Sequence, residues 1–140
     1  MSEERELFSI MVTSGTEEKL IALATITNGA IAMDYDVHIF LAFWGTHAFR
    51  KGAPDHFPVS IEGQPYEELM RKNMKEKGLG NWRAALKKAK ESGNVKIIAC
   101  SNMIPLFDIP EDDFSDLVDE ISGIASYIEA ATKAKANILI

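Results

Sequence analysis

The chain has 140 residues, a net charge of −6, 46% hydrophobic residues and a single cysteine. This length suits one domain spanning residues 1–140, the acidic balance argues against a general nucleic-acid-binding protein, and one cysteine cannot form an internal disulfide. The N-terminal stretch MSEERELFS is charged and no apolar run approaches the roughly 20 residues that span a bilayer, so we expect a cytoplasmic protein without a membrane segment.

Residues 7–13, LFSIMVT, form an apolar run typical of a buried strand, which ends at the turn signal Ser14-Gly15-Thr16. The segment that follows, to about residue 33, has apolar residues at helical spacing, acids in its first turn and Thr16 as its N-cap. A second, nearly all-apolar strand is predicted over 37–44. Residues 46–63 contain prolines and glycines, and we expect them to be irregular.

In the second half, the spacing of apolar residues predicts helices over 65–77 and 82–92, a strand over 95–99 and a last strand at the terminal NILI. Pro110 and the acids after it favour a helix start, so we expect a helix from there to about residue 133 with a break near Gly123. Strands that alternate with helices favour parallel pairing through right-handed crossovers. The expected fold is an α/β three-layer sandwich, with a mostly parallel sheet of four to five strands and helices on both faces.

Three loops of this fold leave strands at the carboxyl edge of the sheet, where open α/β sheets bind ligands. They are TSGT, WGTHAF and CSNM. Small-residue turns of this kind can present N–H groups to an anion, although TSGT is more typical of a plain strand-to-helix turn. A neutral or charged His47 could orient groups at the edge, or be a polar loop residue without a role. The candidate binding residues are Ser14, Gly15, Thr16, Gly45, Thr46, His47, Ser101 and Asn102.

Cys100 is the candidate reactive group because it stands at the end of the third predicted strand, at this same edge. If residues 101–103 open a helix or turn with free N–H groups, their dipoles favour the thiolate, the form that attacks sulfur. A lone cysteine is also commonly a small buried core residue, so the residues alone leave both interpretations open. Without a second cysteine no Cys-x-x-Cys pair exists, and a single-cysteine peroxidase would need a thiol from another molecule.

No short ligand spacing joins Cys100 to the histidines, and the chain has neither a G-x-G-x-x-G nor a P-loop pattern. We therefore expect no metal and no cofactor. Basic residues dominate between Arg71 and Lys90, whereas all charges between Asp108 and Glu120 are acidic. Such runs are usually solvated helix faces, but complementary patches can also steer a partner or pair subunits.

Three stretches occur in an order and spacing that resemble the DsrE/DsrF-like family. They are TSGTEEKLIALATITNGAIAMDYDVHIFLAFWG, VKIIAC and ISGIASYIEAATKAKANILI, and the similarity extends from Phe8 to Ile140. The chain departs from the pattern in SNMIPLFDI after the cysteine, and in Asp34 where a glycine would commonly close the first helix. These departures bear on which sulfur species is carried rather than on the fold.

The resemblance implies a sulfurtransferase-like sulfur carrier of the cytoplasm, in which Cys100 carries persulfide or bound thiosulfate. It also implies exchange with a partner such as a TusA-like carrier, and assembly into homo-oligomers, trimers or hexamers. Two other functions remain open: a module that binds a small anion or nucleotide, and an oligomeric scaffold subunit. In both of these, Cys100 would be an inert, buried side chain.

Overall fold

A computed structural model describes residues 4–140 of the chain, and residues 1–3 of the charged stretch 1–9 lie outside the described part. Among residues 4–140, no helix combines the length and the apolar character that crossing a bilayer requires. The elements, in chain order, are β1 (Leu7–Val12), α1 (Glu17–Ala32), β2 (Asp36–Leu41), α2 (Phe43–His47), a 3-10 helix (Ile61–Tyr66), α3 (Glu67–Lys77), α4 (Trp82–Ser92), β3 (Val95–Cys100), α5 (Met103–Phe107), β4 (Glu120–Ser122), α6 (Ile124–Lys133) and β5 (Ala136–Leu139).

The strands form one five-stranded sheet in the order β4-β3-β2-β1-β5, and every neighbouring pair is parallel. The register places Ile138, Ile10, Ile39 and Ile97 side by side across four strands. Such a row is expected where helices cover a parallel sheet, because its strands are then buried on both faces. The predicted α/β fold with a parallel sheet is therefore confirmed.

Alternate residues of the strands divide the core into two apolar clusters, one on each face of the sheet. On one face α1 packs against α4, and Leu20, Leu23 and Leu86 lie fully buried against β1, β2 and β3. On the other face the cluster includes Phe40 and Ile98 of the sheet with residues of α5 and α6. Among residues 4–140, the helices that contribute to the second cluster have five and ten residues, so the helical layer over this face is less extensive.

The helix predicted from Pro110 is wrong for residues 110–119, which are irregular and lead into the short strand β4. Pro110 opens a turn instead, in which its carbonyl accepts a hydrogen bond from the N–H of Asp113 at 3.0 Å. Residues 113–115 then run beside residues 49–51, where Ser115 N–H donates to the Phe49 carbonyl at 2.8 Å. Proline followed by acids is also a turn signal, and these long-range contacts select the turn.

The second predicted strand also ends early, because β2 stops at Leu41 and residues 43–47 form the short helix α2. Phe43 has a φ of 48°, in the left-handed region that non-glycine residues rarely adopt. Left-handed backbone cannot continue a parallel ladder, so the chain turns away from the sheet at this residue. The predicted end at residue 44 is therefore wrong by three residues.

A buried carboxylate ties residues 54–71 to the start of α1. Glu17 is 1% exposed, and its Oε1 lies 2.8 Å from His56 Nδ1 and 3.2 Å from Arg71 Nη1. Arg71 also donates to Glu67 and to the carbonyl of Phe57. These bonds raise the pKa of Arg71, with its hydrogen bond to Glu67 as the largest cause. Because α3 has no buried residue, polar contacts of this kind hold it in place.

Replacing the buried carboxylate should loosen this attachment. We expect Glu17→Gln to lower the free energy of unfolding by about 1–3 kcal/mol, because the amide cannot match charge-assisted bonds to Arg71 and His56. Urea denaturation measures the change, with Glu68→Gln on the exposed face of α3 as the matched control. Equal stability of the two variants would contradict the structural role of Glu17.

His38 is a half-buried side chain in the middle of the sheet. Burial lowers its pKa, Lys96 on the neighbouring strand lowers it further, and Asp36 and Glu120 oppose the shift. Above the unfolded-state pKa near 6.5 the residue is neutral in both states, so its ionisation does not change the free energy of unfolding. As the pH falls below that value the unfolded chain binds the proton first, so the folded state loses stability.

The wild-type protein should therefore lose stability as the pH falls below about 6.5, and His38→Gln should flatten that part of the profile. Urea denaturation at a series of pH values measures this slope for both proteins. His47→Gln should also reduce the loss of stability at acid pH, because burial and the charge of Arg50 lower the pKa of His47 as well. Parallel profiles for wild type and both variants would rule out this origin of acid sensitivity.

Candidate functional site

The loops after β1 and β2 are in direct contact at the carboxyl edge of the sheet. Gly45 N–H donates to the carbonyl of Thr13 at 3.2 Å. A Cβ atom on Gly15 would lie 2.5 Å from the Trp44 carbonyl oxygen, and one on Gly45 would lie 2.6 Å from that of Val12. Any larger residue would push the two loops apart, so the glycines permit this close approach.

The loop after β3 joins the same group through α5. Phe43 N–H, at the start of α2, donates to the sulfur of Met103 at 3.0 Å, and Met103 is itself buried. The ring of Phe107 lies 5.6 Å from that of Trp44 and 4.8 Å from that of His47. The structure thus brings together the three loops that the sequence places at this edge, because β1, β2 and β3 are adjacent in the sheet.

Cys100 is the last residue of β3, and it pairs with Ser122 of β4. Its side chain is only 4% exposed and belongs to the apolar cluster that contains Phe40, Met103 and Phe114. The position at the strand end agrees with the sequence analysis, but the thiol is covered rather than open to solvent. Access to the sulfur atom therefore requires the covering residues to move.

Several predicted anion donors are used within the protein. Ser101 N–H donates to the carbonyl of Ser122 at 2.9 Å, and Gly45 N–H is bonded to Thr13. Thr16 takes the N-cap position of α1 without a side-chain capping bond, and its N–H lies 3.4 Å from Ser14 Oγ. Asn102 is exposed at the start of α5. The binding roles of these residues, and of Gly15, stay predictions.

His47 ends α2 and is half-buried beside the rings of Trp44 and Phe107. Burial and the nearby positive charge of Arg50 lower its pKa, so its neutral form predominates at neutral pH. The preceding residue, Thr46, is fully buried, and its hydroxyl has no hydrogen-bond partner among residues 4–140. The third histidine, His56, instead contacts Glu17 at the start of α1.

Sequence reasoning missed three contributors to this site: Phe43, Met103 and strand β4. The apolar run through Phe43 gave no sign of its left-handed backbone, and Met103 acts through a contact with a residue 60 positions away. The available signal for β4 is the apolar Ile121 followed by Gly123, since a glycine commonly marks the end of a strand. A strand of three residues is too short for its periodicity to be detected.

Comparison with known proteins agrees with this architecture. A model of the DsrE/DsrF/DrsH-like family matches residues 4–65 and 59–139. A Bacillus subtilis (strain 168) protein named "Uncharacterized protein YrkE" is 26% identical, and the alignment covers 100% of both chains. "Sulfur carrier protein DsrE2" of Allochromatium vinosum is also 26% identical, over 98% of this chain and 99% of the relative.

A solved structure shares the fold. "Protein of Unknown Function MTH1491" from Methanobacterium thermoautotrophicum superposes with a TM-score of 0.60 at 16% identity, over 96% of this chain and 99% of that one. At this identity the likeness concerns the fold alone. The family model, however, matches nearly all of the described residues in two overlapping segments. The chain belongs to the DsrE/DsrF/DrsH-like family.

Proposed function

We propose that this protein is a cytoplasmic sulfur carrier whose Cys100 holds a persulfide or thiosulfonate and exchanges it with a partner protein. The observation that carries the proposal is the position of the only cysteine, at the carboxyl end of an interior strand, in a chain of this family. A relative of similar length is named a sulfur carrier protein, which supports the same chemistry here.

The chemistry requires an accessible thiolate and no external oxidant. The Cys100 thiolate attacks a sulfane sulfur of a polysulfide, one S–S bond forms as another breaks, and the shortened polysulfide leaves. With tetrathionate, the same attack leaves a thiosulfonate on Cys100 and releases thiosulfate. A partner thiolate then attacks the outer sulfur of the persulfide, takes that sulfur, and Cys100 leaves as a thiolate.

The remaining parts of the proposal concern the surroundings of the thiol. N–H groups in the Ser14–Thr16 turn and after Cys100 would hold the anionic adduct. Neutral His47 would exchange a proton with it. A TusA-like carrier is the proposed partner, and the proposed assembly is a homo-trimer or hexamer.

Because Cys100 is buried, the carrier function includes a local opening of α5. This helix has five residues, contains Pro105 and is followed by Asp108 with a φ of 50°. It contacts α2 through the hydrogen bond of Phe43 N–H with the Met103 sulfur and through the ring of Phe107, which lies against Trp44 and His47. Short helices with few buried contacts are the parts of a protein that open most easily.

A second candidate function is a scaffold subunit with an inert cysteine. It is favoured by one observation, the 4% exposure of Cys100 within an apolar cluster. The two functions differ in whether the folded protein reacts with sulfur donors, which can be measured directly.

We expect brief incubation of the folded protein with polysulfide to add sulfur to Cys100, because α5 opens without global unfolding. Intact-protein mass spectrometry detects an adduct that dithiothreitol removes, and Cys100→Ser is the matched control. Tetrathionate should give the heavier thiosulfonate adduct. Labelling that occurs only in denaturant would support the scaffold function and contradict the carrier function.

We also expect Met103→Ala to speed native alkylation of Cys100 about ten-fold, because the variant removes a buried contact between α5 and α2 and a member of the cluster that contains Cys100. Truncating a buried methionine costs about 2–4 kcal/mol, so a variant of similar cost is needed for comparison. Leu23→Ala is this comparison variant, since Leu23 is fully buried in the apolar cluster on the face of the sheet opposite to Cys100. Equal acceleration by both variants would mean that Cys100 reacts through global unfolding.

A further inference from the structure

The surface over Cys100 exposes large apolar side chains. Trp44 is 60% exposed, Leu106 is 58% exposed and Phe43 is 44% exposed, and the half-buried ring of Phe107 lies against Trp44. We call these four residues the apolar patch. They belong to α2 and α5, the two helices joined by the contact of Phe43 with Met103, and both Met103 and Phe107 pack in the cluster that contains Cys100. A partner that docks on the apolar patch is therefore placed beside Cys100.

One border of the apolar patch is strongly acidic. Residues 108–116 begin directly after Phe107, and residues 113–115 run beside residues 49–51, just beyond α2. Asp108, Glu111, Asp112 and Asp116 are exposed, and among residues 4–140 none of them has an ion-pair partner. Nearby acids are neutralised instead, since Asp113 pairs with Arg50, Asp119 with Lys90 and Glu120 with Lys96.

Unpaired carboxylates at one border of an apolar patch favour a partner that carries basic residues at the matching border. A second copy of this chain offers basic residues between Arg71 and Lys90, but that segment contains no cysteine. Sulfur that leaves Cys100 has to pass to a thiol of another molecule, so the surface over Cys100 has to admit that molecule. This requirement favours a different protein over a second copy as the occupant.

We propose that the apolar patch and its acidic border are the docking face for the protein that exchanges sulfur with Cys100. This inference rests on the proposed carrier function. It specifies a partner that presents a thiol within an apolar centre and a rim of lysine and arginine. The acidic border speeds the encounter and fixes the orientation, and Trp44 and Leu106 fill apolar hollows of the partner.

Two synthetic peptides probe this face. Each has a Leu-Cys-Gly-Leu centre, flanked in one peptide by lysines and in the other by glutamates. At low salt, persulfide-loaded protein should transfer sulfur to the basic peptide roughly ten-fold faster than to the acidic one, and added salt should reduce the difference. Free cysteine, which is too small to use the face, reports the intrinsic reactivity of the persulfide.

Matched variants separate local from overall charge. The variant D108N/E111Q/D112N/D116N should abolish the preference for the basic peptide and leave transfer to free cysteine unchanged. The variant E62Q/E68Q/E76Q/E91Q changes the net charge equally at exposed acids elsewhere, and it should retain most of the preference. Trp44→Ala should slow transfer to both peptides. Equal transfer to both peptides, or equal effects of the two charge variants, would overturn the docking face.

Binding of serine-for-cysteine versions of the peptides, measured by fluorescence anisotropy, tests the face without sulfur chemistry. If Cys100 accepts no sulfur while the basic peptide still binds selectively, the carrier function fails and the docking face stands. If Cys100 loads and free cysteine unloads it without any peptide preference, only the docking face fails. Sedimentation of the wild type and of Trp44→Ala tests whether a second copy of this chain occupies the face. If the wild type is an oligomer and the variant is a monomer, the face is a contact between copies and not the docking face.

Discussion

The parallel register of β1, β2 and β3 is the constraint on which the rest of the molecule depends. Parallel neighbours need a crossover connection, so α1 and α4 return the chain along one face of the sheet. All three strands then end at one edge, which brings the loops after them into contact. The close approach of Gly15 to Trp44 and of Gly45 to Val12 is a consequence of this convergence. The position of Cys100 follows from the same register.

Burial and reactivity make opposite demands on Cys100. Apolar surroundings disfavour the thiolate, yet the thiolate is the form that attacks sulfur. A cover that closes over the thiol protects it from oxidation, and one that opens gives a sulfur donor access. Helix α5 has the features of a segment that opens locally. It is short, it ends at the left-handed residue Asp108, and its first residue, Met103, accepts a hydrogen bond at sulfur from Phe43 N–H.

The sequence predicts the parts of this fold that depend on local periodicity. The helical spacing from Leu20 to Ile31 and the apolar run before Cys100 suffice for α1 and β3, and the alternation of elements suffices for parallel pairing. The sequence does not predict features that depend on distant contacts. The local pattern of residues 110–119 predicts a helix, but the hydrogen bond from Ser115 N–H to the Phe49 carbonyl favours an irregular conformation. Strand β4 forms by pairing with the edge of β3. The burial of Cys100 is of the same kind, since the apolar cluster around it includes Phe40 and Phe114, which are distant in the chain.

The net charge of −6 is unevenly distributed along the chain, with basic residues concentrated between residues 71 and 90 and acidic residues between 108 and 120. Lys90 of α4 reaches Asp119 and Lys96 of β3 reaches Glu120, so the acids beside the sheet are neutralised. Asp108 directly follows α5, whereas Glu111, Asp112 and Asp116 line a surface hollow together with Lys51, Asp119 and Glu120. Among residues 4–140, Asp108, Glu111, Asp112 and Asp116 have no ion-pair partner, while Asp113 pairs with Arg50. Unpaired like charges repel each other, so these four acids add no stability to the folded chain through ion pairs.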